Sequence, residues 1–220
     1  MWKDVSAPYS KFESWFYDSY IAPAMVPFLD QLQEELGIDL PEKGFLLDVG
    51  CGGGQILGEI AEKFPLANLF GADLSEEQVE RANHRLASYK GRVQIRQGSA
   101  LNLPFPADKF DLVLSNGSIK HWPDQGLGLS ECVRVLKPGG RLLIIEADRG
   151  CRQSDVDRLF AHSRIPSLFR PLFRTLFLLK VSGPSLDMDD TRELAGNLAL
   201  AEWSVSRIKN LPGWVLDGIK

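Results

Sequence analysis

The chain has 220 residues, 44% of them hydrophobic, and a formal net charge of −4. That length suits one domain with a substantial core, and the acidic balance argues against general electrostatic capture of nucleic acid, which needs a basic face. Three cysteines, Cys51, Cys132 and Cys151, have no paired spacing and no histidine at metal-ligand spacing, so neither a disulfide framework nor a metal centre is expected. A reducing, cytoplasmic setting is the simple reading. Met1 to Tyr20 carries acids and aromatics where a secretory leader has a basic end and an apolar core, and no run is long enough to span a bilayer.

Residues from about Val5 to Leu36 have helical spacing, interrupted by Pro23 and Pro27. A proline inside a helical pattern ends or kinks it, so two helices are expected, one ahead of Pro23 and one from about Pro27 to Leu36. Gly37 stops the second, and Pro41 to Gly44 turn into the first strand. Phe45 to Val49 is a short apolar run of the kind that fits a buried parallel strand. It contains Asp48 and breaks into Gly50, Gly52, Gly53 and Gly54. Gln55 to Phe64 then reads as a helix with Ile56, Leu57, Ile60, Ala61 and Phe64 on one face.

A second strand is expected over Leu66 to Ala72, closed by Asp73, with Ser75 capping a helix that has Glu76 and Glu77 in its first turn. Val93 to Gln97 alternates as a third strand and leads into Gly98, Ser99 and Ala100. A proline-rich loop, Leu103 to Pro106, precedes a fourth strand, Phe110 to Leu114, which ends on Ser115, Asn116 and Gly117. A helix from about Leu127 to Leu136 stops at Lys137-Pro138-Gly139-Gly140, and Arg141 to Glu146 is a fifth strand. Strands alternating with helices imply a parallel sheet with right-handed crossovers.

The tail has an aromatic, basic helical stretch from Asp155 to Val181, broken at Pro166 and Pro171. A helix over Asp187 to Leu200 follows, then strands over Trp203 to Asn210 and Trp214 to Ile219, joined by Leu211-Pro212-Gly213 and able to pair as a hairpin at the sheet edge.

Strand, glycine turn and helix form the anatomy of a cofactor crevice at the carboxyl end of a sheet. Glycine turns serve many cofactors, and the spacing separates them. A dinucleotide fingerprint needs a third glycine five residues after the first, and counting from Gly50 that position is Gln55. A phosphate loop ends in Gly-Lys-Ser or Gly-Lys-Thr, and neither is present. The pattern is instead an acid followed by alternate glycines, at Asp48, Gly50, Gly52 and Gly54.

In this pattern, and at three further places in register, the chain resembles the class I S-adenosylmethionine-dependent methyltransferases. Asp48 to Gly54 is similar to their first motif and Asp73 to the acid that grips the ribose hydroxyls; Phe110-Asp111-Leu112-Val113 is similar to their fourth strand, and Arg134 to Gly140 to the turn before their fifth. The resemblance covers about Gly44 to Ala147 and the terminal strand pair. It implies a three-layer, Rossmann-like α/β sandwich, with a seven-stranded, mostly parallel sheet of order 3-2-1-4-5-7-6 whose last strand is antiparallel. The chain divides on this basis into an N-terminal helical lid (1–43), a cofactor-binding core (44–150), a helical cap (151–186) and a last helix with the strand pair (187–220), all in one domain.

The resemblance further implies S-adenosylmethionine as cofactor, S-adenosylhomocysteine as product, and a small organic acceptor, apolar or aromatic, as partner. The cofactor residues carried over are Asp48, Gly50, Gly52, Gly54, Asp73, Leu74 (against the adenine), Ser99, Ala100, Ser115 and Asn116. At Ser99 many relatives have an acid for the adenine amino group, so the chain departs from the pattern there. His121, in the loop after the fourth strand, is the candidate base, and Tyr9, Tyr17 and Tyr20 are candidates to close over the methionine end. Gly117 and Ser118 follow Asn116 where base-modifying relatives continue Pro-Pro-Tyr, so methylation of DNA is not expected. The paired acids of metal-dependent relatives are also missing around Ser115. Methylation of protein or RNA, or cofactor binding without transfer, are the alternatives. Stable membrane insertion is not expected, and the oligomeric state is monomer or homodimer.

Overall fold

A computed structural model describes residues 37–89, 91–162 and 165–220. The two helices expected before Gly37, and with them Tyr9, Tyr17 and Tyr20, lie outside the described residues. Seven strands form one sheet: β1 (Phe45–Val49), β2 (Asn68–Asp73), β3 (Val93–Gln97), β4 (Phe110–Asn116), β5 (Leu136–Ala147), β6 (Glu202–Arg207) and β7 (Gly213–Ile219), ordered β3-β2-β1-β4-β5-β7-β6. The first five run parallel, and β7 is antiparallel to both β5 and β6. Order and direction are those expected, with β7 inside the sheet and β3 and β6 at its two edges.

Six α-helices are described: α1 (Gln55–Lys63), α2 (Glu76–Arg85), α3 (Gln125–Val135), α4 (Gln153–His162), α5 (Arg170–Phe177) and α6 (Met188–Gly196). Strand side chains alternate between two apolar layers, as a pleat with a period of two requires. Leu46, Leu112, Leu114, Leu143 and Ile145 meet Leu57 and Ile60 of α1 and Val156 and Leu159 of α4 on one face. Leu47, Val113, Leu142, Ile144 and Leu216 meet Leu129 and Cys132 of α3 and Ala195 of α6 on the other. Each of these leucines and isoleucines contributes ~1.5–3 kcal/mol by leaving water, and sheet coverage on both faces explains why the strands read as continuous apolar runs.

Local chemistry sets the element ends. The Ser75 hydroxyl accepts from the Gln78 N–H at 3.4 Å to cap α2. Asp187 accepts from the Asp189 and Asp190 N–H groups at 3.0 Å, and Asp190 reaches back to the Asp187 N–H, so α6 starts in a capping box. The expected tail helix is divided into α4, a 3-10 turn (Ser167–Phe169), α5 and a π turn (Leu178–Ser182). Pro171 sits in the first turn of α5, where its missing N–H costs nothing.

Strand β5 begins at Leu136, ahead of the expected Arg141, because Lys137-Pro138-Gly139-Gly140 bulges without leaving the sheet. The register jumps from Phe110↔Leu136 to Leu112↔Arg141. Gly139, at φ 76°, donates to the Lys220 carbonyl at 2.8 Å, and the Lys220 N–H donates to Gly140 at 3.0 Å. A Cβ on Gly140 would press on the Phe110 and Lys137 carbonyls, so the bulge needs its glycines.

Candidate active site

The carboxyl ends of β1, β2, β4 and β5 share one edge of the sheet, and the strand order reverses between β1 and β4. Open α/β sheets bind ligands at such a switch point. After Val49 the chain turns back at once: the Gly50 and Cys51 N–H groups both donate to the Ala72 carbonyl, at 2.8 and 3.1 Å, tying β1 to β2. Gly50 has φ 76°, and a Cβ there would overlap the Ser118 side chain. Gly52, at φ 50°, has open space where a Cβ would stand. Gly54 adopts the left-handed conformation as the residue before α1, and the first turn of α1 carries no acid. The glycines are thus required for the turn and for close packing, and at Gly52 they leave bare backbone facing space.

Asp73 is held at this loop. Its Oδ2 accepts from the Gly52 N–H and its Oδ1 from the Ser75 N–H, each at 2.9 Å. Burial nonetheless raises its pKa, against the lowering effect of those two hydrogen bonds. Leu74, the next residue, is 50% exposed. Asp48 differs sharply: it is 1% exposed, and neither carboxylate oxygen has a hydrogen-bond partner among the described residues. Burial, and then the neighbouring Asp73 charge, push its pKa up to about 7. An unpaired buried carboxylate beneath a glycine loop is an incomplete arrangement that a cation would complete.

At the end of β3, Ser99 and Asn102 form an isolated bridge, the Ser99 hydroxyl accepts from the Leu101 N–H at 3.1 Å, and Ser99 and Ala100 are half-buried. At the end of β4, Ser115 is fully buried. Its hydroxyl is 2.8 Å from the Val49 carbonyl and 2.9 Å from the Ser118 hydroxyl, which lies 3.1 Å from the same carbonyl and accepts from Trp122 Nε1 at 3.1 Å. The part Ser115 plays here is to hold the ends of β1 and β4 together. Asn116 and His121 are half-buried, the latter on a 3-10 turn (Ile119–His121) whose last N–H donates to the Ser118 carbonyl at 2.9 Å.

The sequence reading missed Lys120 and Glu146. Both are buried, at 8% and 3% exposure. Lys120 Nζ donates to Glu146 Oε1 at 2.8 Å and to the Gly117 carbonyl at 2.7 Å, and Glu146 also accepts from the Ala147 N–H at 2.8 Å. This pair pins the loop after β4 to the end of β5. One signal was available: Glu146, like Asp73, is an acid ending an apolar strand. For Ser118 no sequence signal exists.

A family model described as a methyltransferase domain matches residues 47–144. Those residues contain Asp48, the glycine loop, Asp73 and β4. The core matches the methyltransferase-domain family. Over 106 residues, 47% of the chain, it is 39% identical to a ubiquinone/menaquinone biosynthesis C-methyltransferase of Geotalea daltonii, spanning 45% of that relative. It is 31% identical to an O-methyltransferase of Penicillium expansum over 170 residues, 74% of the chain and 61% of the relative. The chain therefore spans about half the length of the curated relatives it matches. A Haemonchus contortus phosphoethanolamine N-methyltransferase, solved with phosphomonomethylethanolamine and S-adenosylhomocysteine, superposes with a TM-score of 0.70 at 17% identity, covering 96% of this chain and 58% of that one. S-adenosylmethionine would bring to such a core a methyl group already activated on a sulfonium. The residues here suit that group: an orphaned carboxylate for a cation, a fixed one for a diol, open backbone at Gly52, and an exposed apolar side chain at Leu74.

Proposed function

We propose that the chain transfers a methyl group from S-adenosylmethionine to a small organic acceptor and releases S-adenosylhomocysteine. The observation carrying this reading is Asp48, whose buried carboxylate has no partner and gains one when a sulfonium and ammonium ligand occupies the loop above it. A phosphate-bearing ligand would meet repulsion at the same place. Asp73 keeps a free lone pair on each oxygen for the ribose hydroxyls, since each accepts only one backbone N–H. Leu74 supports one face of the adenine, while Ser99 and Ala100 border its amino edge and Asn116 faces the methionine end.

Methyl transfer from a sulfonium asks the protein mainly to align the reactants and keep water out. The Lys120–Glu146 pair serves alignment by fixing the loop that follows Asn116 and carries His121. His121 accepts the acceptor's proton where the acceptor is a hydroxyl or an acidic carbon. Names of the two relatives, one a C- and one an O-methyltransferase, favour such acceptors. The net charge of −4 weighs against RNA. The same reading puts an apolar or aromatic acceptor under the 151–186 cap, and its three free cysteines in a reducing cytoplasm.

The test is calorimetry with S-adenosylhomocysteine and NADH, followed by a screen of hydroxyl and carbon acceptors with methyl-labelled S-adenosylmethionine. Binding of the nucleoside thioether with labelled product is expected. Binding of NADH alone would overturn the reading, and thioether binding without any labelled product would move it to a non-catalytic role. His121→Ala retaining full transfer to a hydroxyl acceptor at every pH would remove the base.

A further inference from the structure

The glycine loop is held from outside as well as from within. One face of α2, formed by Gln78, Ala82, Arg85 and Leu86 at helical spacing, lies against Gly53 and Gly54. A Cβ on Gly54 would meet Leu86 at 2.8 Å and Ala82 at 3.1 Å, and one on Gly53 would meet Arg85 Nη1 at 2.9 Å and Gln78 Oε1 at 3.3 Å. Arg85 Nη1 donates to the Gly53 carbonyl. Gln78 Oε1, beside the same point, is buried with no hydrogen-bond partner among the described residues, so of these two polar side chains it is Arg85 that ties the loop. Arg85 is the last residue of α2 and is exposed, so core packing does not explain where its guanidinium lies.

The other end of the same helix holds the same loop. Asp73 takes the Gly52 N–H on one oxygen and the N–H of Ser75, just ahead of α2, on the other, each at 2.9 Å. The Gly52 N–H and the Gly53 carbonyl are therefore fastened by two charged side chains at opposite ends of α2, and the backbone between these ties is the stretch with open space at Gly52. Glycines have the most backbone freedom to lose on being fixed, and three stand here in a row, Gly52, Gly53 and Gly54. Left loose, the loop would be ordered only as a ligand arrives, and affinity would fall by that cost. Fixing it beforehand removes the cost from binding. A hydrogen bond from a charged donor is strong enough to do so, since losing one shifts an equilibrium by roughly tenfold.

We infer that Arg85 is a positioning residue for cofactor binding: from the far end of α2 it holds the Gly53 carbonyl and, with Asp73, presets the loop that the nucleoside meets. The inference rests on the proposed binding of S-adenosylmethionine at this loop. The experiment is titration calorimetry of the full chain and its variants with S-adenosylhomocysteine, with a thermal melt of each ligand-free protein. Arg85→Ala should weaken binding by roughly tenfold, while its ligand-free melting temperature moves by no more than about 2 °C, as for an exposed substitution. Arg85→Lys, which keeps a charged donor, should recover most of the affinity. Gly53→Ala displaces the guanidinium with its Cβ, so the double variant Gly53→Ala/Arg85→Ala should bind no more weakly than Gly53→Ala alone. Binding by Arg85→Ala equal to the parent's, no recovery with lysine, or losses that add in the double variant would each overturn the inference and leave the cofactor reading standing. No binding by the parent chain would overturn the cofactor reading itself, and this inference with it.

Discussion

Replacing Asp48 by asparagine removes a charge whose burial is costly and which no described residue compensates. Its pKa moves from 3.8 to about 7 on folding, which at ~1.4 kcal/mol per unit amounts to about 4 kcal/mol. The folded state holds the Asp48 proton more tightly than the unfolded state does, so ligand-free stability falls as pH rises from about 4 to about 7, and the cost is complete above that. A cationic ligand favours the carboxylate and lowers its pKa. Binding below pH 7 therefore expels the proton, and affinity drops by up to ~10-fold for each pH unit below about 7 while staying flat above it. Titration calorimetry of S-adenosylmethionine from pH 5 to 8, in buffers of differing ionisation enthalpy, measures both affinity and proton release. Asp48→Asn should flatten the profile, abolish the proton release assigned to this group and raise the ligand-free melting temperature at pH 8. Using the difference between the two proteins cancels the titration of the ligand's own amine. Superimposable pH profiles for parent and variant would refute the assignment of Asp48 to the cation.

Asp73→Ala should weaken S-adenosylhomocysteine binding by ~1–3 kcal/mol, read by calorimetry, since it removes the charged acceptor and frees the Gly52 and Ser75 N–H groups it holds. Lys120→Met alone should cost ~3–5 kcal/mol in denaturant melts by stranding the Glu146 charge, and adding Glu146→Gln should recover much of it. Ser118→Ala leaves the Trp122 N–H without its acceptor and should cost ~1–3 kcal/mol in the same assay. Gly50→Ala, which faces both the φ of 76° and the Ser118 side chain, should abolish cofactor binding or folding.

The strands, the helix caps and the glycine loop were legible because each rests on neighbours in the chain. Short apolar runs ending on an acid marked the carboxyl edge of the sheet, Ser75 and Asp187 marked helix starts, and the alternate glycines marked backbone that no side chain can follow. The strand order came by resemblance, since local pattern places strands in sequence without saying which will pair. What the tertiary structure alone decided comes from residues far apart in sequence. Lys120 meets Glu146 across 26 positions and Arg207 meets the buried Asp148 across 59, the latter binding β6 to the end of β5. The strand-like bulge at Gly139 and Gly140 is tied down by Lys220, the far end of the chain. Asp48 joins the two levels: its position after an apolar run was plain from the sequence, but its loneliness was not. A carboxylate is left unpaired when the described elements around it pack without offering a donor, and that is a property of the assembled fold.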